Sequence, residues 1–207
     1  LVDCAPLVVA VHLGLDRRYG LRLELQRQAS WTAVRDRLIS GEIDATHALA
    51  GMVYGIDTGV GGPCEPMAVL MVLNHNGQAI VLAPEPARRL REGASLREAL
   101  EVPRQRPRLA HTFPTGTHAM WLYYWLAAQD VDPLHEIEAV TLPPPQMPGA
   151  LAGGELLGYS VGEPWAAQAE VQGIGARVIR SGELWPGHPE KVLACRRGFA
   201  ALESLGE

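Results

Sequence analysis

The sequence Gly162-Glu163-Pro164-Trp165 has the form of a junction between a strand and a helix. It follows residues 159–161, which predict a short strand, and its glycine permits a tight turn. Its proline suits the opening turn of a helix, because the N–H that proline lacks has no partner there. A second run, Trp185-Pro186-Gly187-His188-Pro189-Glu190-Lys191, places a cation among aromatic and imidazole groups. Each run alone is equally consistent with a rigid turn and a core aromatic side chain.

Helical and extended segments alternate along the rest of the chain. Helices are predicted over residues 6–19, from a cap at Ser30 to Gly41, from a capping box that begins at Ser95, and over residues 120–128. Strands are predicted over residues 21–25, 67–73, 79–83, 137–142 and 176–180 and around Leu109, and those over residues 67–73 and 79–83 are expected to be buried. Strands interleaved with helices indicate an α/β fold with a mostly parallel sheet.

The length of the chain suits two lobes. A chain of 207 residues can form one large domain or two lobes of roughly 100 residues each. We predict a first lobe of residues 1–84, to which residues 181–207 return, and a second lobe of residues 85–180. The polar segment 84–107, rich in proline and arginine, is the expected crossing. The chain opens in an apolar segment without methionine or a basic leader, which predicts a fragment that lacks its start.

Composition excludes several classes of function. The formal net charge of −5 and the lack of a lysine and arginine cluster predict no nucleic-acid surface. The sequence contains no run of 18 or more apolar residues, so no transmembrane helix is predicted. The three cysteines have neither disulfide-framework nor metal-ligand spacing, so no metal site is predicted from them. No cofactor is predicted either. The odd number of cysteines favours a reducing compartment. No Ser/His/Asp or Cys/His arrangement positions a nucleophile, so we predict that the protein is not an enzyme.

Hydrogen-bond donors follow several predicted strands. Ligands in open α/β sheets bind beyond the carboxyl ends of the strands, so we expect these groups to meet. Each has an ordinary structural alternative as a core, capping or solvated residue, and their shared location favours a joint role in binding a small anion. The predicted binding residues are Trp31, Gln78, Thr117, His118, Gly162 and Lys191.

Six segments form a further pattern, namely Asp3-Cys4-Ala5-Pro6-Leu7, Ala29-Ser30-Trp31 with Arg35-Asp36, Asn76-Gly77-Gln78-Ala79-Ile80, Pro143-Pro144-Pro145-Gln146-Met147 and the two runs quoted above. In the same order and across nearly the whole chain, these segments together resemble the nitrate/bicarbonate-binding proteins. That family comprises the receptors of ABC importers for nitrate and bicarbonate and the NasS-type nitrate sensors of the cytoplasm. The resemblance implies a two-lobed periplasmic-binding-protein-like fold with the ligand cleft between the lobes, truncated at both ends relative to longer members. It implies that all the predicted binding residues except Thr117 line the anion pocket.

Nitrate is the ligand that these residues favour. It is a planar monoanion that accepts hydrogen bonds and donates none, so its site needs donors and a positive charge. The resemblance implies that bicarbonate, which carries a hydroxyl donor, is held by an acidic residue and a calcium ion where nitrate proteins have lysine. Lys191 therefore favours nitrate, and also nitrite, provided that Glu163 and Glu190 point away from the site. A sulfonate receptor is a further alternative, and a metal site would require His75, His118 and His188 to meet.

Two cellular roles fit this resemblance. The odd cysteine number and the segments 3–6 and 47–52 favour a cytoplasmic NasS-type sensor, whose partner is an RNA-binding antiterminator protein. The alternative is the extracytoplasmic solute-binding component of an ABC nitrate importer, periplasmic or membrane-anchored, whose partners are the transporter's membrane subunits. In either role the acidic chain is not expected to contact nucleic acid directly.

Overall fold

A computed structural model describes residues 2–201 of the chain, and its strands form two sheets. The first sheet has three antiparallel strands in the order β1-β8-β2. The second has five strands in the order β5-β4-β6-β3-β7. The strands are β1 (Ala45–Leu49), β2 (Met67–His75), β3 (Gln78–Leu82), β4 (Arg108–His111), β5 (Glu138–Thr141), β6 (Gly158–Gly162), β7 (Ala176–Arg180) and β8 (Pro189–Arg196).

Helices connect most of these strands. Short 3₁₀ helices span Val2–Cys4 and Pro144–Gln146. None of the helices within residues 2–201 has the length and apolar character that crossing a membrane requires. The α-helices are α1 (Ala5–His12), α2 (Leu15–Arg18), α3 (Trp31–Ser40), α4 (Ala50–Thr58), α5 (Pro84–Arg91), α6 (Leu96–Ala99), α7 (Thr117–Ala128), α8 (Met147–Ala152), α9 (Trp165–Val171), α10 (Ser181–Leu184) and α11 (Arg197–Ala200).

The five-stranded sheet is buried on both faces. Alternate residues of a strand point to opposite faces, and in β3 these alternate residues belong to two different hydrophobic clusters. Ile80 and Leu82 pack with the side chains of α5, α6 and α7, whereas Ala79 and Val81 pack with those of α8 and α9. This sheet is mixed, because β3 runs antiparallel to both of its neighbours, β6 and β7.

The three-stranded sheet is covered less completely. Its core lies against α3 and α4 and includes Trp31, Leu38 and Met52. The prediction that residues 67–73 form a buried strand is wrong in burial, because residues 69–72 of β2 are exposed at an edge of this sheet. The prediction of a mostly parallel sheet is also wrong for this sheet, whose three strands pair antiparallel.

The two predicted helix caps are confirmed, whereas a helix and a strand predicted near the start of the chain are not found as predicted. Ser30 caps α3 by accepting a hydrogen bond from the Ala33 backbone N–H, and Ser95 forms the expected capping box. The helix predicted over residues 6–19 is divided into α1 and α2 by Gly14, whose φ is +64°. The strand predicted over residues 21–25 is irregular, and its central N–H, that of Leu23, donates to the Asp16 carboxylate instead of to a strand.

The chain passes between the sheets at two places. It leaves the first sheet after His75 and enters the second at Gln78, and it returns between Arg180 and Pro189. The segment 84–107, expected to be the crossing, instead forms α5 and α6, which pack on the second sheet. The predicted lobe limit at residue 84 therefore differs from the sheet boundary by the strand β3, which pairs with β6 and β7. The limit at residue 181 lies where the chain leaves the second sheet.

Candidate functional site

The side chain of Lys191 lies buried between the two sheets. It is the single lysine of the chain and only 1% exposed. Its ammonium Nζ lies 2.8 Å from Asp3 Oδ2, contacts Glu190 Oε1, and lies 5.6 Å from the centroid of the Trp31 ring. A buried ammonium is costly unless it is paired, so these carboxylates and the indole face are what hold it there.

An irregularity in the sheet brings Glu190 and Lys191 to the same place. Adjacent residues of a regular strand point to opposite faces. In the β2–β8 pair, Asn74 lies opposite Lys191 while His75 lies opposite Pro189, so Glu190 is an extra residue on β8. Such a bulge redirects side chains, and both Glu190 and Lys191 are buried. The condition that Glu190 points away from the site is therefore not met, which weakens the preference for nitrate over bicarbonate that was drawn from the sequence.

A chain of hydrogen bonds joins Glu190 to the second sheet. The Thr117 hydroxyl, at the start of α7, donates to Glu190 Oε2 at 2.7 Å. The same hydroxyl accepts a hydrogen bond of 2.7 Å from Gln78 Nε2. Gln78 Oε1 is buried and has no hydrogen-bond partner among residues 2–201. The amide of Gln78 thus ends the chain with an unsatisfied acceptor.

His118 approaches Glu190 from α7. Its Nδ1 lies 2.8 Å from the Thr112 hydroxyl, and its Nε2 lies 3.6 Å from Glu190 Oε1. Within the described chain Nε2 makes no hydrogen bond. Burial lowers the pKa of the imidazole well below its ordinary value, and the positive charge of Lys191 lowers it further. His118 is therefore neutral at physiological pH.

An opening lies next to these groups. A cavity of about 250 Å³ is lined by both sheets, with Asn74, Glu190 and Lys191 on one side and Gly77 and Gly162 on the other. A Cβ atom at Gly162 would lie 3.4 Å from His118 Nε2, so a glycine leaves this nitrogen uncovered. Glu163, at the same cavity, is turned to Arg177, whose Nη1 lies 2.7 Å from its carboxylate.

A second cavity lies apart from these groups, and no metal-binding cluster is found among the described residues. A second cavity of about 250 Å³ is lined by α3, α4 and residues 113–115, and contains none of the predicted binding residues. Its guanidinium, that of Arg35, is paired with Asp36. Within residues 2–201 no group of three His, Cys, Asp or Glu side chains is arranged to hold a metal ion.

All six predicted binding residues lie around Glu190 and Lys191. Trp31 contacts Lys191, Thr117 and His118 approach Glu190, Gln78 is joined through Thr117, and Gly162 shares the cavity with Lys191. Sequence reasoning missed the inward positions of Glu190 and Asp3. A buried lysine requires a carboxylate partner. A binding site built around Lys191 therefore indicated that a carboxylate lies beside it, but the sequence did not identify which carboxylate.

Two sheets, each with its own helices and with polar groups between them, form the arrangement found in periplasmic binding proteins. In such proteins a small ligand is enclosed where the two halves meet. The chain belongs to the NMT1-like family, whose model matches residues 1–203.

Individual relatives agree with this assignment. The chain is 39% identical to the nitrate/nitrite binding protein NrtA of Synechocystis sp., over 95% of this chain and 46% of that protein. It is 34% identical to the bicarbonate transport ATP-binding protein CmpC of Synechococcus elongatus, over 97% of this chain and 31% of that protein. The crystal structure of the periplasmic nitrate-binding protein NrtA from Synechocystis superposes with a TM-score of 0.88 at 38% identity, covering 97% of this chain and 54% of that one. The chain thus spans half or less of the length of the curated relatives it matches.

Proposed function

We propose that the chain binds nitrate, and also nitrite, between its two sheets as the solute-binding component of a nitrate importer. The observation that carries this proposal is the buried ammonium of Lys191, a cation at a cavity that Gly162 of the second sheet also lines. The similarity to NrtA, a protein named for nitrate and nitrite binding, supports the same ligands. Because its relatives are named as binding and transport proteins, we propose binding without catalysis.

The available donors suit a planar anion with three acceptor oxygens. Lys191 supplies a charged donor, Gln78 an amide and His118 a ring nitrogen. If the Thr112 hydroxyl donates to His118 Nδ1, then Nε2 carries the proton of the neutral imidazole and donates to the anion. The indole of Trp31 covers the ammonium on the remaining side.

The importer role replaces the cytoplasmic sensor as the preferred interpretation. A crystal structure that resembles this chain is that of a periplasmic nitrate-binding protein, which favours an extracytoplasmic location. The sensor interpretation requires a nitrate-dependent complex with an antiterminator, whereas the importer interpretation requires an export signal in the gene and the membrane subunits of a transporter. The gene's own start codon and a pull-down with and without nitrate distinguish the two roles.

Bicarbonate is the second candidate ligand, and Glu190 is the observation that favours it. Its buried carboxylate is an acceptor inside the site, and bicarbonate carries a hydroxyl donor that nitrate lacks. The 34% identity to CmpC, a protein named for bicarbonate transport, points in the same direction. Nitrate remains the preferred ligand, because the relative with the higher identity, 39% against 34%, is named for nitrate and nitrite binding, and because Lys191 supplies a charged donor.

Calorimetric titration with nitrate, nitrite, bicarbonate and taurine separates these ligands. The proposal predicts saturable binding of one nitrate or nitrite per chain and much weaker binding of bicarbonate with or without calcium. Preferential binding of bicarbonate, or of taurine as a representative sulfonate, would assign the site to that anion instead.

A further inference from the structure

The formal charges at the site do not favour an added anion. Lys191 contributes one positive charge, and the carboxylates of Asp3 and Glu190 contribute two negative charges in contact with it. His118 contributes none, because burial keeps its imidazole neutral. A bound nitrate would therefore add to an excess of negative charge in a place that water reaches poorly, which is costly.

We propose that the anion binds together with one proton and that Glu190 is the residue that holds this proton. This inference rests on the proposed function and adds to it the condition under which the site is loaded. A proton on Glu190 removes one of the two carboxylate charges and frees the Lys191 ammonium to turn one donor to the anion.

The hydrogen-bond chain shows how this proton also changes the donors. Thr117 has a single hydroxyl hydrogen, which is now given to Glu190, so Thr117 can only accept from Gln78. When Glu190 is protonated, its own O–H donates to Thr117, and the Thr117 hydrogen becomes available to Gln78. The Gln78 amide then turns so that Oε1 accepts from Thr117.

This reversal satisfies the buried acceptor that lacks a partner. With Oε1 bound to Thr117, both hydrogens of Gln78 Nε2 are left for the ligand. The ionised form of Glu190 thus presents an acceptor, and the protonated form presents donors. An anion that only accepts hydrogen bonds binds the second arrangement better, and therefore draws the site toward it.

Other titratable groups surround Glu190 without replacing it in this role. Glu163 across the cavity is paired with Arg177. His47 lies 4.0 Å from Asp3, and burial lowers its pKa. The groups that face Glu190 directly or through Lys191 are Asp3 from the first 3₁₀ helix, His118 from α7 and Lys191 from β8, with His111 and His188 near His118.

Calorimetry of potassium nitrate binding tests this proposal in PIPES and imidazole buffers at the same pH, because the buffers differ in heat of protonation. We expect proton uptake when nitrate binds and an affinity that rises as the pH falls. In Glu190→Gln the uptake should vanish and nitrate should bind more tightly at neutral pH. Glu163→Gln is the matched control and should keep the uptake of the parent.

The outcomes distinguish failure of the proton linkage from failure of nitrate binding itself. Nitrate binding with equal heats in both buffers and no pH dependence overturns the proton linkage and leaves nitrate binding intact. Uptake that persists in Glu190→Gln overturns the assignment to Glu190. Absence of nitrate binding in the parent and in Glu190→Gln at every pH overturns both the function and the linkage. The parent measurements need no variant, so a Glu190→Gln protein that fails to fold does not protect the proposal.

Discussion

The two sides of the site differ in charge. The charged side, Asp3, Glu190 and Lys191, belongs to the first sheet and the helix beside it. The neutral side, Gln78, Thr117 and His118, belongs to the second sheet and the start of α7. The Lys191 ammonium gives attraction for an anion once a proton removes the charge of Glu190, whereas neutral donors on the other side give orientation at little cost. Affinity should therefore depend most on the charged side, and selectivity on both.

Reversing the charge of Lys191 should have the largest effect. In Lys191→Glu a third carboxylate replaces the ammonium, and nitrate affinity should fall by on the order of a hundredfold or more. Calorimetry measures this loss, with circular dichroism as the check of folding. Lys191→Arg, which keeps the charge, should lose less. If Lys191→Glu binds nitrate as tightly as the parent, the charged side is not the anion site.

Acid should destabilise the protein because it protonates the buried imidazole of His111. Burial lowers the pKa of His111 to about 4, below its value in the unfolded chain. The unfolded state therefore binds the proton first as the pH falls, and stability present above pH 6.5 is lost toward pH 4. Between pH 7.5 and 5 this histidine alone should cost about 2 kcal/mol.

Urea unfolding across this pH range measures the loss. In His111→Phe, which keeps an aromatic ring beside Tyr123 at a similar size, the decline toward acid should be shallower than in the parent. An equally steep decline in the variant would show that other groups cause it.

Loss of a neutral donor should cost less than loss of the charge. Gln78→Met keeps the volume of the side chain but removes the amide, so nitrate affinity should fall about tenfold. Gln129→Met, at an exposed position after α7, is the matched control and should bind like the parent. If both variants bind nitrate equally well, the Gln78 amide does not contact the anion.

The smallest effect is expected at Gly162. A methyl group there would lie 3.4 Å from His118 Nε2, so Gly162→Ala should partly cover this donor and weaken binding by about threefold. Gly149→Ala is the control, because a Cβ there meets no atom of residues 2–201 within 4 Å. Unchanged affinity in Gly162→Ala would show that His118 Nε2 is not used by the ligand.

The sequence predicted the neutral side better than the charged side, for a physical reason. Local signals such as strand ends and helix starts place Gln78, Thr117 and Gly162, and the structure has these residues at or beside β3, α7 and β6. The charged side depends on pairing between distant strands and on a bulge in β8, neither of which has a local sequence pattern. In a regular strand the adjacent side chains of Glu190 and Lys191 would point to opposite faces of the sheet.

The same reason explains the differences in the fold. Caps at Ser30 and Ser95 depend on neighbouring residues and were predictable. The antiparallel first sheet joins residues 45–49, 67–75 and 189–196, so its direction could not follow from any one of these segments. The alternating leucines of residues 21–25 matched a strand pattern, but the Leu23 N–H is bound by Asp16.

The most direct test of the central claim uses the fact that Lys191 is the only lysine in the chain. Protein labelled selectively with ¹³C,¹⁵N-lysine gives NMR signals from this side chain alone. If Lys191 holds the anion, added nitrate should shift the Cε and Nζ signals saturably, with the same dissociation constant that calorimetry gives. If calorimetry shows nitrate binding while these signals stay in place, the anion binds elsewhere and the account is contradicted.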